Sequence, residues 1–507
     1  MHSNGDAERS SIGTLPVRAA LLITANLLTA CTLQPDYQRA ELDVPGAWVN
    51  GASASSDAPN IVTMAGQDWW SRLHDPSIDR LVEAGLSDNP TLAEAAARVD
   101  RARALATGAN AGRLPGITLE GSATRAREAA DPSSGPSVQK SASFGARANW
   151  EVDLWGRVRE GTTAARRRLD ARIAEANGAR MSLIGDIVDN AIALRACVLT
   201  RKVLQSDLTS REVELGIARK RLSFGAIAPV EVAAVQSNFL TARTQRIAQQ
   251  EMCARLTNAL AALSGLEAST IRAEFGSEPV AMANLNLLEP VDYDRIPIPP
   301  ETQLALPATI LLANPDVLAA ENEAAARWAE VAVARAERLP RLDLVGVLTG
   351  QWIRSFGVGT TFISNSLGAT LSGPLLDGGA GAANVRVAQA GYREAVAQLQ
   401  LIARTTVRDL EDALAARQSA DLRVQTAQES LEQARFALRA NSARFEAGAI
   451  AQFELGETRR QLNRAQQDAI TAQTDRAQSW VALVRRVGPA PSRQFTSTPE
   501  NENSFND

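Results

Sequence analysis

Few side chains in this 507-residue sequence could carry out chemistry. Histidine occurs only twice, at His2 and His74, so a histidine-based metal site or acid–base pair is excluded. We find no nucleophile motif and no phosphate-binding loop, and the net charge of −4 gives no indication of nucleic-acid binding. We therefore expect no enzyme activity, catalytic residue, cofactor or metal. The remaining candidates are the three cysteines, Cys31, Cys197 and Cys253.

Cys31 follows a short apolar run near the start of the chain. Two arginines precede the apolar residues 19–30, as in an export signal. The run ends in Leu28-Thr29-Ala30-Cys31, which resembles a bacterial lipobox, where the signal is cut before the cysteine and the cysteine is acylated. Several acyl chains would hold the N-terminus to a bilayer. We predict lipid attachment at Cys31; the alternative is a chance cysteine after an ordinary signal.

The last part of the chain is predicted to form a long helical hairpin. Apolar residues and alanines recur at intervals of three and four between Val424 and Leu438, and a second apolar face ends at Val487. Between them lies Arg444-Phe445-Glu446-Ala447-Gly448, where glycine supplies the permissive backbone of a reversal. At ~1.5 Å per residue, a helix of ~65 residues spans roughly 100 Å. Such a hairpin needs other helices beside it to bury its apolar face.

The first half of the chain repeats this plan. Arg221-Leu222-Ser223-Phe224-Gly225 lies 223 residues before the matching tip at Arg444 to Gly448. A period of roughly 225 residues is far longer than a solenoid repeat and predicts two structural halves. Two further motifs recur at nearly the same offset: Asn89-Pro90 as Asn314-Pro315, and Arg113-Leu114-Pro115 as Arg338-Leu339-Pro340.

Cys197 and Cys253 are placed symmetrically about the first tip. They lie 28 residues before and 28 residues after Gly225, so an antiparallel hairpin would bring them to the same height. An oxidising periplasm permits a disulfide between them. We predict a bridge if their helix faces meet; the alternative is two buried free thiols.

Two pairs of runs with rough alternation precede the long helices. Residues 116–127 and 139–152 flank a loop at 131–136, and residues 341–352 and 361–375 flank a connection at 356–360. Each run is long enough to cross a bilayer as a tilted strand, but four strands leave open edges that lipid does not tolerate. Three chains would supply twelve strands.

The predicted fold is therefore mainly α with a transmembrane β-barrel portion. It is a trimeric channel-tunnel, with a 12-stranded barrel and long antiparallel helices that form a periplasmic α-barrel. The predicted segments are a signal peptide (1–30), an extended strap (31–67), a first repeat (68–265), a linker (266–307), a second repeat (308–488) and a disordered tail (489–507).

The combined motifs resemble those of the TolC/OprM-type outer-membrane efflux channels, and more closely their NodT-type lipoprotein branch. The resemblance covers about residues 20–488. It implies a homotrimer in the cell outer membrane, a passive conduit that exports drugs or other small toxic compounds. It also implies a periplasmic membrane-fusion adaptor and an inner-membrane pump, of the RND type, as partners. The motifs are the lipobox, Asn89-Pro90, the stretch 150–156, the stretch 374–379 and the two Arg-x-x-x-Gly tips.

The resemblance also assigns roles at the hairpin tips. Glu454 and Glu457 match, in spacing, two acidic residues that ring the closed periplasmic mouth of one family member. Three copies would place six carboxylates around the axis, a constriction that attracts cations; the alternative is ordinary solvated helix charges. The other tip residues that it assigns are Phe445, Gly448, Arg444, Arg221 and Gly225.

Two other functions remain open from the sequence. One is the outer-membrane exit duct of a type I protein-secretion system, which would use the same architecture. The other is a periplasmic coiled-coil lipoprotein without a pore. The paired strand runs argue against the second, because a pure coiled coil has no need of them.

Overall fold

The structure, a computed structural model, describes residues 37–51, 60–65, 68–128, 137–276, 295–355 and 358–488. The predicted signal peptide, Cys31, the loop at 131–136 and the tail at 489–507 lie outside the described residues, as do parts of the strap and linker.

Most elements of the first half are helices, and one pair of strands lies between them in the sequence. After a short 3₁₀ turn at Trp69–Leu73, the two longest helices follow the strands and are joined at Gly225. The elements in order are α1 (Ile61–Ala65), α2 (Pro76–Asp88), α3 (Pro90–Ala111), β1 (Gly116–Glu128), β2 (Ser137–Val152), α4 (Arg157–Ser223), α5 (Pro229–Ser264) and α6 (Ala268–Gly276).

The second half repeats the first, and its three longest helices have the same lengths as their counterparts. Its elements are α7 (Pro307–Ala313), α8 (Pro315–Ala336), β3 (Arg341–Ser355), β4 (Val358–Ser372), α9 (Ala380–Glu446) and α10 (Gln452–Val487). Helices α3 and α8 have 22 residues each, α4 and α9 have 67, and α5 and α10 have 36. The repeat in the sequence therefore corresponds to a repeat of whole structural elements.

The asparagines of the two Asn-Pro motifs make equivalent hydrogen bonds in the two halves. The Asn89 side chain accepts from the amide two residues on, capping α3, and donates to the Leu263 carbonyl at 2.8 Å. Asn314 caps α8 in the same way and donates to the Arg486 carbonyl at 2.7 Å. Each asparagine thus starts one helix and ties it to the end of the hairpin in its own half.

The chain forms two compact units, and each unit takes segments from both sequence halves. One unit comprises Ala102–Leu169 and Glu323–Val396 with the stretch up to Ala40, and it contains the four strands. The other comprises Glu41–Arg101, Asp170–Asn322 and Ala397–Asp507, and it contains both hairpin tips. The division in space therefore differs from the division into repeats.

The four strands form one antiparallel sheet in the order β1-β2-β3-β4. Because side chains alternate along a strand, the register assigns every residue to one of two faces. The apolar face carries Ile117, Leu119, Phe144, Trp150, Leu348, Trp352, Ile363, Leu367 and Leu371, all exposed. The polar face carries Thr118, Glu120, Ser122, Ser143, Arg147, Gln351, Ser364 and Ser366.

The main hydrophobic core lies in the second unit. Trp69 and Trp480 are fully buried, with ring centroids 5.6 Å apart in an edge-to-face arrangement. Helices α4 and α10 contribute Ile187 and Val484 to this core. The strap packs on this unit, where Glu411 of α9 accepts from the Val49 and Asn50 amides. Among the described residues, no helix is both long and apolar enough to cross a membrane.

Two of the predicted segments contain helices that the sequence does not indicate. The extended strap contains α1, and the irregular linker contains α6, where Ile271 and Phe275 are buried four residues apart. Helix α4 begins at Arg157, because the Asp153 carboxylate accepts from the Val158 amide at 3.0 Å and caps it.

The connection predicted at 356–360 is too long, and the fourth strand is misplaced by three residues. Gly359 and Thr360 already pair with Arg354 and Ile353, so β4 begins at Val358. The strand then ends at Ser372, before a proline that could not donate to the ladder.

Candidate functional site

Both hairpin tips have the same backbone geometry. At the first, the Ala226 amide donates to the Arg221 carbonyl at 2.8 Å, and Gly225 has φ +68°. At the second, the Ala449 amide donates to the Arg444 carbonyl at 2.8 Å, and Gly448 has φ +72°. These six-to-one bonds around a left-handed residue form a Schellman motif, which ends a helix with its carbonyls satisfied.

Arginines of the same chain accompany the two glutamates at the second tip. Glu454 Oε1 lies 3.6 Å from Arg444 Nη1, and Glu457 Oε2 lies 2.8 Å from Arg460 Nη2. The Arg460 guanidinium also lies 5.8 Å from the centre of the exposed Phe453 ring. Each of these two carboxylates therefore has a cation beside it, which reduces the local negative charge.

Gly456 brings α10 close to α4 behind this tip. A Cβ at Gly456 would lie 2.4 Å from Glu214 Oε1, so a larger residue there would displace that carboxylate. Glu214 Oε2 lies 3.6 Å from Arg460 Nη1, and both side chains are mostly buried. Burial raises the pKa of Glu214, and the arginine opposes that change. Arg460 therefore joins Glu457 on its own helix to Glu214 on the neighbouring one.

Polar pairs continue along the contact between α4 and α10. Asn463 Nδ2 donates to Asp207 Oδ1 at 3.1 Å, and Gln478 Nε2 donates to the Asp189 carbonyl at 3.3 Å. Further along, Arg485 Nη1 donates to Asp186 Oδ1 at 2.6 Å. Residue numbers rise on α4 while they fall on α10, so the two helices are antiparallel neighbours over this length.

Asp189 has a strongly perturbed carboxyl group within this contact. Burial raises its pKa to about 7; Arg485 lowers it and Asp186 raises it further. One carboxylate oxygen is buried without a hydrogen-bond partner among the described residues. The protein therefore holds a carboxyl group that titrates near neutral pH between two long helices.

The two cysteines of the first hairpin face each other. A disulfide joins Cys197 on α4 to Cys253 on α5, with Cα atoms 5.7 Å apart. Two residues before Cys197, Arg195 forms two 2.6 Å bonds to Asp75, the residue that caps α2. The Arg195 guanidinium also lies 4.8 Å from the centre of the Phe275 ring of α6. This region therefore links α4 to three other elements.

The sequence indicates some site residues and misses others. Arg221, Gly225, Arg444, Phe445 and Gly448 all lie at the tips. Sequence patterns do not reveal Arg460 and Glu214, because their pairing depends on two helices that are distant along the chain; the only local signal is the glycine at 456. No group of three metal-ligating side chains occurs within the described ranges.

Comparison with known proteins identifies the family. A sequence model of the family "outer membrane efflux protein" matches residues 81–266 and 306–489. The chain is 28% identical to the pyoverdine export outer membrane protein OpmQ of Pseudomonas putida, over 94% of this chain and 98% of that protein. It is 27% identical to nodulation protein T of Rhizobium leguminosarum bv. viciae, over 92% of each.

A solved structure shows the same fold. The outer-membrane channel OprN superposes with a TM-score of 0.76, at 23% identity, over 90% of this chain and 99% of that one. The resemblance to the TolC/OprM-type channels and their NodT-type branch is thereby confirmed. The chain belongs to the outer membrane efflux protein family and is an outer-membrane efflux channel.

Proposed function

We propose that this channel works as a homotrimer and is a passive conduit for drugs or other small toxic compounds. In the described part of the sheet, β1 and β4 each pair on one side only, while one face is apolar and exposed. Such a sheet has open edges that lipid does not tolerate, and pairing β1 of one chain with β4 of the next removes them. Three chains give a closed barrel of twelve strands. The proposal rests on the open edges of a sheet that has an exposed apolar face.

The inner surface of that barrel would be the polar face. Ser122 and Ser143 are hydrogen-bonded there at 2.8 Å, and Arg147 lies 3.6 Å from Glu120. A lumen lined by hydroxyls and paired charges suits a water-filled path. The four-stranded sheet also counts against a coiled-coil lipoprotein without a pore.

The partners in this proposal are a periplasmic adaptor and an inner-membrane pump of the RND type. Similarity to the toluene efflux pump outer membrane protein TtgC of Pseudomonas putida supports it, because that protein belongs to a pump assembly. The chain has no nucleotide-binding motif, so the energy for transport would come from the pump. Acylation of Cys31 would add a membrane anchor.

We place the periplasmic mouth at the tips, with Glu454 and Glu457 near the axis. Because Arg444 and Arg460 accompany these glutamates, the mouth would be only weakly cation-selective. Neutralising the glutamates removes the carboxylate beside Arg444 and leaves Arg460 with Glu214 alone, so the net charge at the mouth becomes more positive. The Glu454→Gln/Glu457→Gln variant should therefore shift selectivity toward anions rather than abolish it.

Single-channel recording in planar bilayers tests both parts of the proposal. Purified trimer should conduct, and a salt gradient should give a reversal potential that moves toward the anion value in the double variant. Glu251→Gln is the control, because Glu251 pairs with Arg255 in the same way on an exposed face of α5. Conductance with an unmoved reversal potential would reject the mouth. A folded chain that stays monomeric by mass photometry would reject the trimer.

A further inference from the structure

Four basic side chains lie together at one end of the sheet's apolar face. The register places Arg125 directly opposite Lys140, and Lys140 directly opposite Arg354. Arg127 lies two residues beyond Arg125 on the same face, and all four residues are exposed. We call these four residues the basic row.

The basic row is unfavourable without an anion. Like charges directly opposite each other destabilise a sheet. On the polar face, the arginines at 147 and 341 have acidic partners, Glu120 at 3.6 Å and Asp343 at 3.0 Å. The basic row has no ion pair with any described residue. Its charges therefore need a counter-ion from outside the described chain.

The height of the basic row on the sheet points to a lipid headgroup. From Leu344 to Trp352 the apolar face of β3 runs for eight residues, or ~26 Å along the strand. With a tilt of about 40° this gives roughly 20 Å of height, close to the ~25 Å apolar band of outer-membrane barrels. Arg354 follows Trp352 at the next position on that face. The basic row therefore sits at the border where acyl chains give way to headgroups.

The direction of the strands selects the leaflet. Both strand pairs are connected at the end that carries the basic row, while the other strand ends lead into α3, α4, α8 and α9. If those helices enter the periplasm, as the proposed function requires, the basic row meets the outer leaflet. The inference rests on the proposed function in this respect.

We propose that the basic row binds the phosphate groups of phosphorylated glycolipids in the outer leaflet. Guanidinium groups match phosphate oxygens in geometry and charge. The apolar face continues directly below the basic row with Ala142, Phe144 and Trp352, which gives the acyl chains of the same molecule a surface. A free phosphate ion would use only the charges, whereas a glycolipid uses both.

Native mass spectrometry of the detergent-purified trimer tests this site with bisphosphorylated lipid A as the probe. The variant Arg125→Gln/Lys140→Gln/Arg354→Gln should lose roughly a hundredfold in affinity, since each basic residue near an anionic group is worth about fivefold. Arg147→Gln is the matched control, because it removes an arginine from the polar face, and it should bind as wild type does. Arg125→Lys/Arg354→Lys keeps the charge and should retain most of the affinity.

The remaining outcomes decide against the site. Unchanged lipid A affinity in the triple variant, or an equal loss in Arg147→Gln, would overturn it. Displacement of lipid A by equimolar inorganic phosphate would show a simple anion site instead. Equal affinity for phosphatidylglycerol would remove the preference for a glycolipid.

Conductance of the same preparations separates this inference from the proposed function. A triple variant that conducts as wild type does but keeps its lipid affinity refutes only the basic row. A wild type that binds lipid A through the basic row yet never conducts refutes only the channel.

Discussion

Replacing Asp189 by asparagine should make the protein more stable at neutral and alkaline pH. Burial raises the Asp189 pKa from 3.8 to about 7, so the folded state holds a proton that the unfolded state releases. The protonated Asp189 side chain therefore contributes its full share of the free energy of unfolding below pH 4, and that contribution is lost as the pH rises through 7. At 1.36 kcal/mol per pKa unit, the loss is on the order of 4 kcal/mol per chain. Asparagine keeps the shape of the protonated side chain and carries no charge.

Thermal unfolding in detergent, followed by circular dichroism between pH 4 and pH 8.5, measures this effect. Asp189→Asn and wild type should unfold at similar temperatures near pH 4, and the variant should unfold at a higher temperature by pH 8. The control is Glu251→Gln, which removes an exposed carboxylate on α5 and should unfold as wild type does at every pH. A difference between Asp189→Asn and wild type that stays constant with pH, or a variant less stable at pH 8, would refute the reasoning.

Three further predictions concern the hairpins. Cys197 and Cys253 should resist alkylation in denaturant until a reductant is added, and mass spectrometry should then show two new labels; labelling of both without reductant would exclude the bridge. Asp75→Asn should lower the free energy of unfolding, measured with denaturant, by about 3 kcal/mol, because it leaves the mostly buried Arg195 without its carboxylate. A decrease below about 0.5 kcal/mol would contradict a buried ion pair. Gly448→Ala should lower the free energy of unfolding by about 1 kcal/mol, because its backbone is left-handed and nothing else is in the way of a Cβ. Gly216→Ala, within a helix, should raise the free energy of unfolding by about the same amount. Equal effects of the two substitutions would contradict the tip geometry.

The sequence predicts those parts of the fold that depend on local patterns. The tips at Gly225 and Gly448 follow from glycine after a helix, and the strands follow from alternation. Short helices are not predicted in this way, because α1 has only five residues inside a stretch rich in proline and serine. The start of β4 is also misplaced, since glycine at 357 and Gly359 suggest a longer loop than the ladder allows.

The candidate site is less predictable because its contacts join distant parts of the sequence. The family resemblance assigns Glu454 and Glu457 to the site, but it does not indicate their arginine partners. Arg460 is an ordinary helix charge in the sequence, and only the neighbouring α4 gives it Glu214 as a second partner. The raised pKa of Asp189 has the same origin, since it depends on what α10 places around it.

The repeat itself argues for closure by neighbouring chains. Within one chain, α4 and α10 meet through polar pairs such as Asp207 with Asn463. The duplicated counterparts of α4 and α10 are α9 and α5, and the counterparts of that pair are Ser430 and Leu240. Both α5 and α9 also carry exposed apolar side chains, including Ile247, Met252, Leu401, Leu422 and Phe436.

A ring with repeated α4–α10 contacts needs an equivalent contact between α9 and α5, and two neighbouring chains can supply it. Polar pairs would then fix the register inside each chain, while apolar burial would hold the chains together. Apolar contacts between chains also account for the exposed apolar residues on the isolated chain, since these residues would be buried only after assembly.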